Sequence, residues 1–410
     1  GLFPKPAVAV ESPCFARAIA LRQGERGLPA LLLGADLLYV GVKERERVLP
    51  RIAEELGVPA ERIMFTATHS HSAPGNFALG AAEALVCGRY REDVVEAVAR
   101  ALAGAAKDAL AGLAPAAVKV ERTGEARRYV NNRYWRRTVK AEPRPEAAGG
   151  APSRAPSEAD EEREVVERIV PVDGDLTVFW FLAPGGKARG LFAVFGAHAT
   201  VIGPEVPRVS PDGPGGFSRS FEDARPGFVA LYAAGPVGCQ APRPAARPGG
   251  DRGEDAFERA RRMGEEVARI AAATEPASAA CEPAPGFALR TVEVPLPPVW
   301  FRLAPSWRAS PVLTRLVYPT PARAPLSILR LGGDVVVGFP CEISGQLSLE
   351  MKGDAARRGI RLTATSFAGA YHGYVPPDEY YPRWRYENRL SLHGPHFAAF
   401  LAALAGAATR

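Results

Sequence analysis

The stretch "RIMFTATHSHSAPGNF", residues 62–77, places two of the chain's six histidines on either side of one serine. Its apolar part reads as a strand, fed by a loop and by the helical pattern of "KERERVLPRIAEELG", which Pro50 interrupts and Gly57 ends. Together they predict an α/β unit with His69 at the C-terminal end of its strand, the place where open α/β sheets bind ligands. Side chains alternate along a strand, so His69 and His71 are expected to face the same way. Neutral imidazole is the commonest protein ligand for zinc, and a catalytic zinc takes three protein ligands and keeps one position open. Against this stands a pair of structural, hydrogen-bonded histidines.

Working outward, "RAIALRQGERGLPALLLGADLLYVGV" predicts two strands joined by a glycine-containing turn, and "EDVVEAVARALAGAAKDAL" an amphipathic helix followed by the strand "AAVKVERTG". Residues 141–164 are Pro, Ala, Gly and charge without an apolar period, the composition of a flexible insertion. Beyond them "LTVFWFLA" and "ARGLFAVFGAHATVI" predict a hairpin through "PGGK". The strand "GFVALYAAG" and the helix "DAFERARRMGEEVARIAAAT" follow. The strands "RTVEVPL", "LSILRLGG" and "DVVVGFP" then lead to the helix "SGQLSLEMKGDAARRG". Strands and helices interleave without an internal repeat. The expected class is therefore α/β: a single large domain of mixed sheets with surrounding helices and a metal site at strand C-terminal ends.

Composition narrows the functions. The 410 residues are 47% hydrophobic, enough to fill a large core. Lys and Arg number 51 against 45 acids, without a dense basic block interleaved with aromatics, so nucleic acid is not implied. The apolar runs "LPALLLGADLLYVGV" and "FAAFLAALAGAA" are too short or carry Asp36, so no transmembrane segment is expected. "GLFPKPAVAVES" lacks the charged and apolar parts of a secretory signal, but a start at Gly1 is compatible with processing, and the compartment stays open. Five cysteines without CxxC spacing argue against a disulfide framework or a zinc knuckle.

Two further residues join the histidine pair. His198 closes the apolar strand "GLFAVFGAHAT", where an imidazole needs a partner. Glu342 follows the Val-rich strand of "GDVVVGFPCEISG", where it serves either as a ligand or as a complement to a helix N-terminus. Three strands ending in His, His and Glu carry the ligand set of a hydrolytic zinc centre.

These motifs resemble those of the neutral (non-lysosomal) ceramidases, zinc amidases that split N-acyl sphingosine into fatty acid and sphingosine. "THSHSAPG" is similar to the family's THTHSGPG, and "FGAHAT" to F-A-x-H-G-T. "SPDGPGGFSRSFE" follows S-x-D-x-x-G…E through Ser210, Asp212, Gly215 and Glu222, while "FPCEISG" stands where the family has L-P-G-E-F-T. "AYHGYVPPDEYYPRWRYENRLSLHGPH" tracks the family's Y-x-x-Y-x-T-x-x-E-Y…G-P-H stretch.

The resemblance implies Zn2+ held by His69, His198, Glu342 and Tyr374, with Tyr371 as the neighbouring alternative to Tyr374. It gives His71 and Arg133 the polar end of the substrate and makes Tyr386 a pocket tyrosine; a solvated surface arginine is the competing reading of Arg133. It further implies a catalytic domain over residues 1–410, sphingolipid metabolism outside the cell or in the periplasm, and peripheral contact with a membrane. The family's C-terminal β-sandwich domain is expected to be absent. His393 and His396 are expected to be structural, because the Gly-Pro between them prevents a helical ligand pair.

The departures are equally specific. The family's N-x-G-D-x-S-P loop supplies a serine beside the zinc, and the aligned "PVGCQAP" has Ala241 there; Cys239 is either a substitute or an inert buried thiol. Tyr134 and Trp135 replace the serine and proline of N-R-S-P, and Pro376 and Pro377 replace family threonines, which implies a remodelled pocket. The leading expectation is a zinc amidase acting on an N-acylated, lipid-like substrate through a metal-activated water. The alternatives are a relative that binds metal or ligand without catalysis, and a zinc esterase or amidase for another acyl substrate.

Overall fold

The computed structural model describes residues 6–132, 136–139, 165–169, 171–203, 206–245, 255–277, 286–304, 306–382 and 384–409. The insertion expected at 141–164 and the candidate Arg133, with Tyr134 and Trp135, lie outside the described residues.

Three mixed sheets organise the core. In the first, Ala16–Leu21 runs antiparallel to Ala30–Ala35, which pairs in parallel with Ile63–Ala67. The second has the order Val229–Ala234, Ala188–Phe195, Leu176–Leu182, Ala117–Thr123, with only its first pair parallel. The third has the order Phe287–Pro295, Arg323–Leu331, Asp334–Gly338, Arg361–Thr365, with only its last pair parallel. The strands Ala30–Ala35, Ile63–Ala67, Leu176–Leu182, Ala188–Phe195 and Asp334–Gly338 are apolar runs buried on both faces, because each sheet lies between the molecular centre and a layer of helices. Ala117–Thr123 and Phe287–Pro295 at the sheet edges are only partly covered.

Leu32 and Met64 from the first sheet, Phe192 and Leu231 from the second, and Leu329 and Val336 from the third meet in one central cluster. The outer face of the first sheet packs on the helices Val42–Leu56 and Glu92–Ala111. That of the second packs on Asp212–Glu222 and Ala256–Ala272, and that of the third on Gly345–Ala356 and Phe397–Ala408. Each sheet therefore brings one strand with a parallel neighbour to the centre: Ile63–Ala67, Ala188–Phe195 and Asp334–Gly338. The candidate residues His69, His198 and Glu342 follow the ends of these three strands.

The strands and long helices read from the sequence are present, including the "PGGK" hairpin, closed by Gly186 N donating to Ala183 O at 2.9 Å. Pro50 does not interrupt its helix, which continues from Val42 to Leu56 and ends where Gly57 adopts a left-handed φ of 67°. Val48, Leu49 and Ile52 are buried on both sides of the proline, and their packing offsets the lost backbone bond.

The helix Asp212–Glu222 was read only as a motif, because Gly213, Pro214, Gly215 and Gly216 are poor helix formers. Its glycines serve close packing. A Cβ on Gly264 of the neighbouring helix would meet Gly213 O at 2.1 Å, and one on Gly216 would meet Arg261 O at 2.6 Å. The terminal "FAAFLAALAGAA" forms a helix of 12 residues that buries Phe397, Ala398 and Leu401 against the third sheet. Among the described residues no helix is long and apolar enough to cross a membrane.

Candidate metal centre

The strand Ile63–Ala67 ends two residues before His69, whose φ of 65° lies in the left-handed region. His69 and His71 are therefore not brought together by strand alternation; a turn does it. A left-handed histidine costs on the order of 1 kcal/mol or more and persists only where its surroundings hold it. Here they do. Ser70 Oγ donates to Ser210 O at 2.7 Å, His71 N donates to Ala199 O at 3.3 Å, and Ser210 N donates to Ser72 O at 2.9 Å. The His69 ring stacks on Phe367, with centroids 4.0 Å apart and planes 19° from parallel, and Phe367 is itself left-handed at φ 58°.

The motif around Ser210 belongs to this frame. Asp212 accepts from Ile202 N at 2.9 Å and from Gly213 N, and burial pushes its carboxyl up to about 6. Glu222 takes the Arg17 guanidinium at 2.7 and 2.9 Å, and Arg17 also reaches Asp36 at 3.2 Å, which ties this helix to the first sheet.

Three imidazoles converge. His69 Nε2 lies 3.0 Å from His198 Nε2, and His71 Nε2 lies 3.3 and 3.1 Å from the other two. A carbonyl can only accept, so the contacts of His69 Nδ1 with Leu38 O at 2.6 Å and of His198 Nδ1 with Val237 O at 3.1 Å fix both Nδ1 atoms as donors. In their neutral form these rings turn Nε2 lone pairs toward each other, at a separation that a shared cation would bridge. A triangle of this size has a point about 2.0–2.1 Å from every corner, the distance of a zinc–imidazole bond. These residues fit such an ion. His69 and His198 are buried, and His71 is exposed, so the group opens on one side.

Glu342 sits against the same group. Its Oε2 is 3.6 Å from His69 Nε2 and 3.9 Å from His198 Nδ1, and the Tyr371 hydroxyl donates to its Oε1 at 2.9 Å. The helix that follows starts at Gly345 and takes its cap from Ser344, so the carboxylate faces the imidazoles and not a helix terminus. Burial and the neighbouring Glu342 hold the Tyr371 phenol well above the usual tyrosine range, so it stays a neutral donor. Tyr374 pairs in register with Glu342 across the two-residue parallel bridge Glu342–Ile343 with Tyr374–Val375, and its ring meets Tyr386 edge-on at 5.7 Å. Tyr374 is buried and Tyr386 half-exposed, which places Tyr386 at the rim.

The structure thus gathers His69, His71, His198 and Glu342, with Tyr374 beside Glu342 and Tyr386 outside it. His71 Nε2 lies in the same triangle as the nitrogens of His69 and His198. His393 is buried next to His372, with ring nitrogens 3.3 Å apart, and His396 is exposed 3.5 Å from Asp378; among the described residues the metal-compatible group contains neither. Sequence reasoning missed the supports: Phe367 under His69, the carbonyls of Leu38 and Val237, and Tyr371 as a donor to Glu342. Backbone carbonyls carry no sequence signal; Tyr371 was in view only as an alternative ligand.

No family model matches the chain. Neutral ceramidase of Pseudomonas aeruginosa is 23% identical over 453 residues, covering 93% of this chain. The crystal structure of neutral ceramidase from Pseudomonas aeruginosa matches with a TM-score of 0.78 at 21% identity, over 100% of this chain and 70% of that one. A ceramidase complexed with C2 matches with the same TM-score and identity, over 100% of this chain and 71% of that one. The chain has the fold of these neutral ceramidase structures. It spans 64% of the length of the curated relative.

Within this neutral ceramidase-like fold, Ala241 lies in the short strand Gln240–Pro242, paired with Val130–Asn132. The strand runs beside the centre, since His198 N donates to Gln240 O at 3.1 Å. Gln240 is itself fixed by bonds to Asp173 and to Gly196 O, which anchors the backbone next to Ala241. Cys239 is fully buried, its sulfur 3.9 Å from the Asn132 amide.

Proposed function

We propose that the chain is a zinc-dependent hydrolase of the neutral ceramidase type, cleaving an amide bond in an N-acylated, lipid-like substrate. The observation that supports it most is the convergence of three imidazole nitrogens and a carboxylate, delivered by one strand end from each of three sheets. In this reading His69, His198 and Glu342 hold the ion, and Tyr374 adds its phenol from the strand paired with Glu342. A bound zinc ion supplies Lewis acidity toward a carbonyl oxygen. The exposed His71 faces the open side and orients the polar end of the substrate, together with Arg133. The buried Phe367 and Tyr374, with the part-buried Tyr371, wall off water on the other side, which strengthens every polar contact inside.

Metal analysis of the purified protein, followed by assays on fluorogenic N-acyl amides and esters before and after chelation, tests the reading. Stoichiometric zinc and chelator-sensitive amide hydrolysis are expected. His71→Ala is expected to keep zinc and lose turnover, whereas His198→Ala is expected to lose both. Absence of metal from the wild type together with an inert panel would remove the hydrolase reading.

One feature favours a second reading, a metal-binding relative without catalysis: by the sequence resemblance Ala241 aligns with the family serine, and it lies in a short paired strand. Ala241→Ser decides between them. An oxyanion donor is worth about a hundredfold or more in rate. Zinc without turnover in the wild type, and turnover gained in Ala241→Ser, would identify the inactive relative.

A further inference from the structure

Gln240 is wholly buried, and each of its polar atoms has a partner. The side-chain oxygen accepts from Asp173 N at 2.6 Å, and the side-chain nitrogen donates to Asp173 O at 2.9 Å and to Gly196 O at 2.6 Å. On the main chain, Gln240 N donates to Val237 O at 3.0 Å, and Gln240 O accepts from His198 N at 3.1 Å. The neighbours fix the orientation of the amide, since an N–H faces its oxygen and two carbonyls face its nitrogen. An aliphatic residue would fill the same space without the desolvation cost, so what the amide adds is direction.

Three parts of the fold meet at this side chain. The first is the exit of the strand Ala188–Phe195, which Gln240 grips twice, by its amide at Gly196 and by its main-chain carbonyl at His198. The same segment supplies Val237 O, the acceptor for His198 Nδ1. The second part is the backbone of Glu342. Gly238 N donates to Ile343 O at 2.9 Å, and a Cβ on Gly238 would meet Glu342 O at 2.7 Å, so the segment runs directly against the residues that carry the carboxylate.

The third part is the helix Gly345–Ala356. Asp173, whose own N–H and carbonyl are both held by the Gln240 amide, turns its carboxylate to that helix. Ser348 Oγ donates to one oxygen at 2.6 Å and Lys352 Nζ to the other at 2.7 Å. Gly345, Ser348 and Lys352 follow one another at spacings of three and four residues and so share a helix face. A Cβ on Gly345 would meet the amide oxygen of Gln240 at 2.1 Å, so glycine lets the helix begin this close.

His198 and Glu342 come from different sheets, yet His198 Nδ1 and Glu342 Oε2 lie 3.9 Å apart, a separation set by whatever joins the two strand ends. We propose that Gln240 is a positioning residue of the metal centre: its amide locks the strand end bearing His198 to the segment and helix that carry Glu342. The locking is a property of the fold; its use in holding an ion rests on the zinc reading proposed above.

The test has two readouts. One is zinc affinity, by competition with a chromophoric chelator. The other is the ring-nitrogen signal of His198 in metal-free protein with isotope-labelled histidine, where the contact with Val237 O makes His198 the Nδ1–H tautomer. Gln240→Met keeps the length of the side chain and removes its three bonds. It is expected to weaken zinc binding about tenfold or more and to shift or broaden the His198 signal. Leu102→Ala opens a cavity on the outer side of the first sheet, in the helix Glu92–Ala111. It is expected to lower stability while leaving zinc affinity within about twofold of wild type and the His198 signal in place. Ser348→Ala breaks one hold of the helix on Asp173 and is expected to weaken zinc about threefold or more. Added to Gln240→Met it is expected to change nothing further, because both act through Asp173. It also carries the test if Gln240→Met does not fold.

An unmoved His198 signal in Gln240→Met, or zinc affinity within about twofold of wild type, would overturn the proposal. So would an equal loss of zinc in Leu102→Ala, since the effect would then be general destabilisation. If the wild type binds no zinc, the hydrolase reading falls, and the His198 signal alone decides the role of Gln240.

Discussion

Tyr371→Phe removes one oxygen from the centre and leaves the packing in place. The Tyr371 hydroxyl donates to Glu342 Oε1 at 2.9 Å, while its ring stacks on Tyr39 at 4.5 Å and lies 5.9 Å from Phe367. A hydrogen bond to a charged acceptor contributes about 1.5–3 kcal/mol, and loss of a partner that orients a metal ligand costs about 10–100-fold in metal affinity. The two magnitudes agree, since about 1.4 kcal/mol corresponds to tenfold. Zinc affinity, measured by competition with a chromophoric chelator, is therefore expected to fall about 10–100-fold in Tyr371→Phe. The metal-free protein is expected to lose no more than about the same 1.5–3 kcal/mol in unfolding free energy, because phenylalanine keeps both ring contacts. Zinc affinity within about twofold of wild type would refute the idea that Tyr371 positions Glu342. A loss well beyond a hundredfold would instead make Tyr371 a direct ligand, the alternative to Tyr374 left open by the sequence.

Two further outcomes follow from the packing. Burial pushes Glu44 up from 4.5 to about 8, so the folded chain keeps a proton that the unfolded chain has lost between those values. Stability from this group is complete below about pH 4.5 and is lost as the pH rises through about 8. Glu44→Gln is therefore expected to gain on wild type by up to on the order of 4 kcal/mol between pH 5 and 8.5 in urea unfolding, and a difference that does not change with pH would refute the assignment. Gly264→Ala drives a Cβ to within 2.1 Å of Gly213 O, so it is expected to lower stability by about 1–3 kcal/mol or more, read from the denaturant midpoint at unchanged slope.

Much of this architecture was legible because its strands are doubly buried. Runs such as "LTVFWFLA" and "DVVVGFP" have no other physical use in a chain of this composition, and the long helices carry clear apolar periods. The Asp212–Glu222 helix was not legible, because its local preference opposes the helix and only the neighbouring helix, meeting it at Gly264 and Gly216, decides the outcome. Pro50 shows the same rule from the other side: a local breaker yields to three buried side chains.

The centre was legible by residue type but not by mechanism of assembly. Histidines and a carboxylate after apolar strands were visible; that each strand belongs to a different sheet around one shared core was not. The pairing of His69 with His71 was expected from strand alternation, a geometry that would have pointed two parallel imidazoles at a surface. A left-handed His69 does something strand geometry cannot: it folds the chain back within two residues, so that both Nε2 atoms meet His198 at 3.0 and 3.1 Å. The serine between them then has a structural reason, since Ser70 Oγ anchors that turn to Ser210 O across the loop that leads into the Asp212–Glu222 helix. The backbone strain at His69 and the close approach of the imidazoles are two sides of one arrangement, and its stability without a cation depends on the Phe367 stack and the Leu38 carbonyl holding the ring.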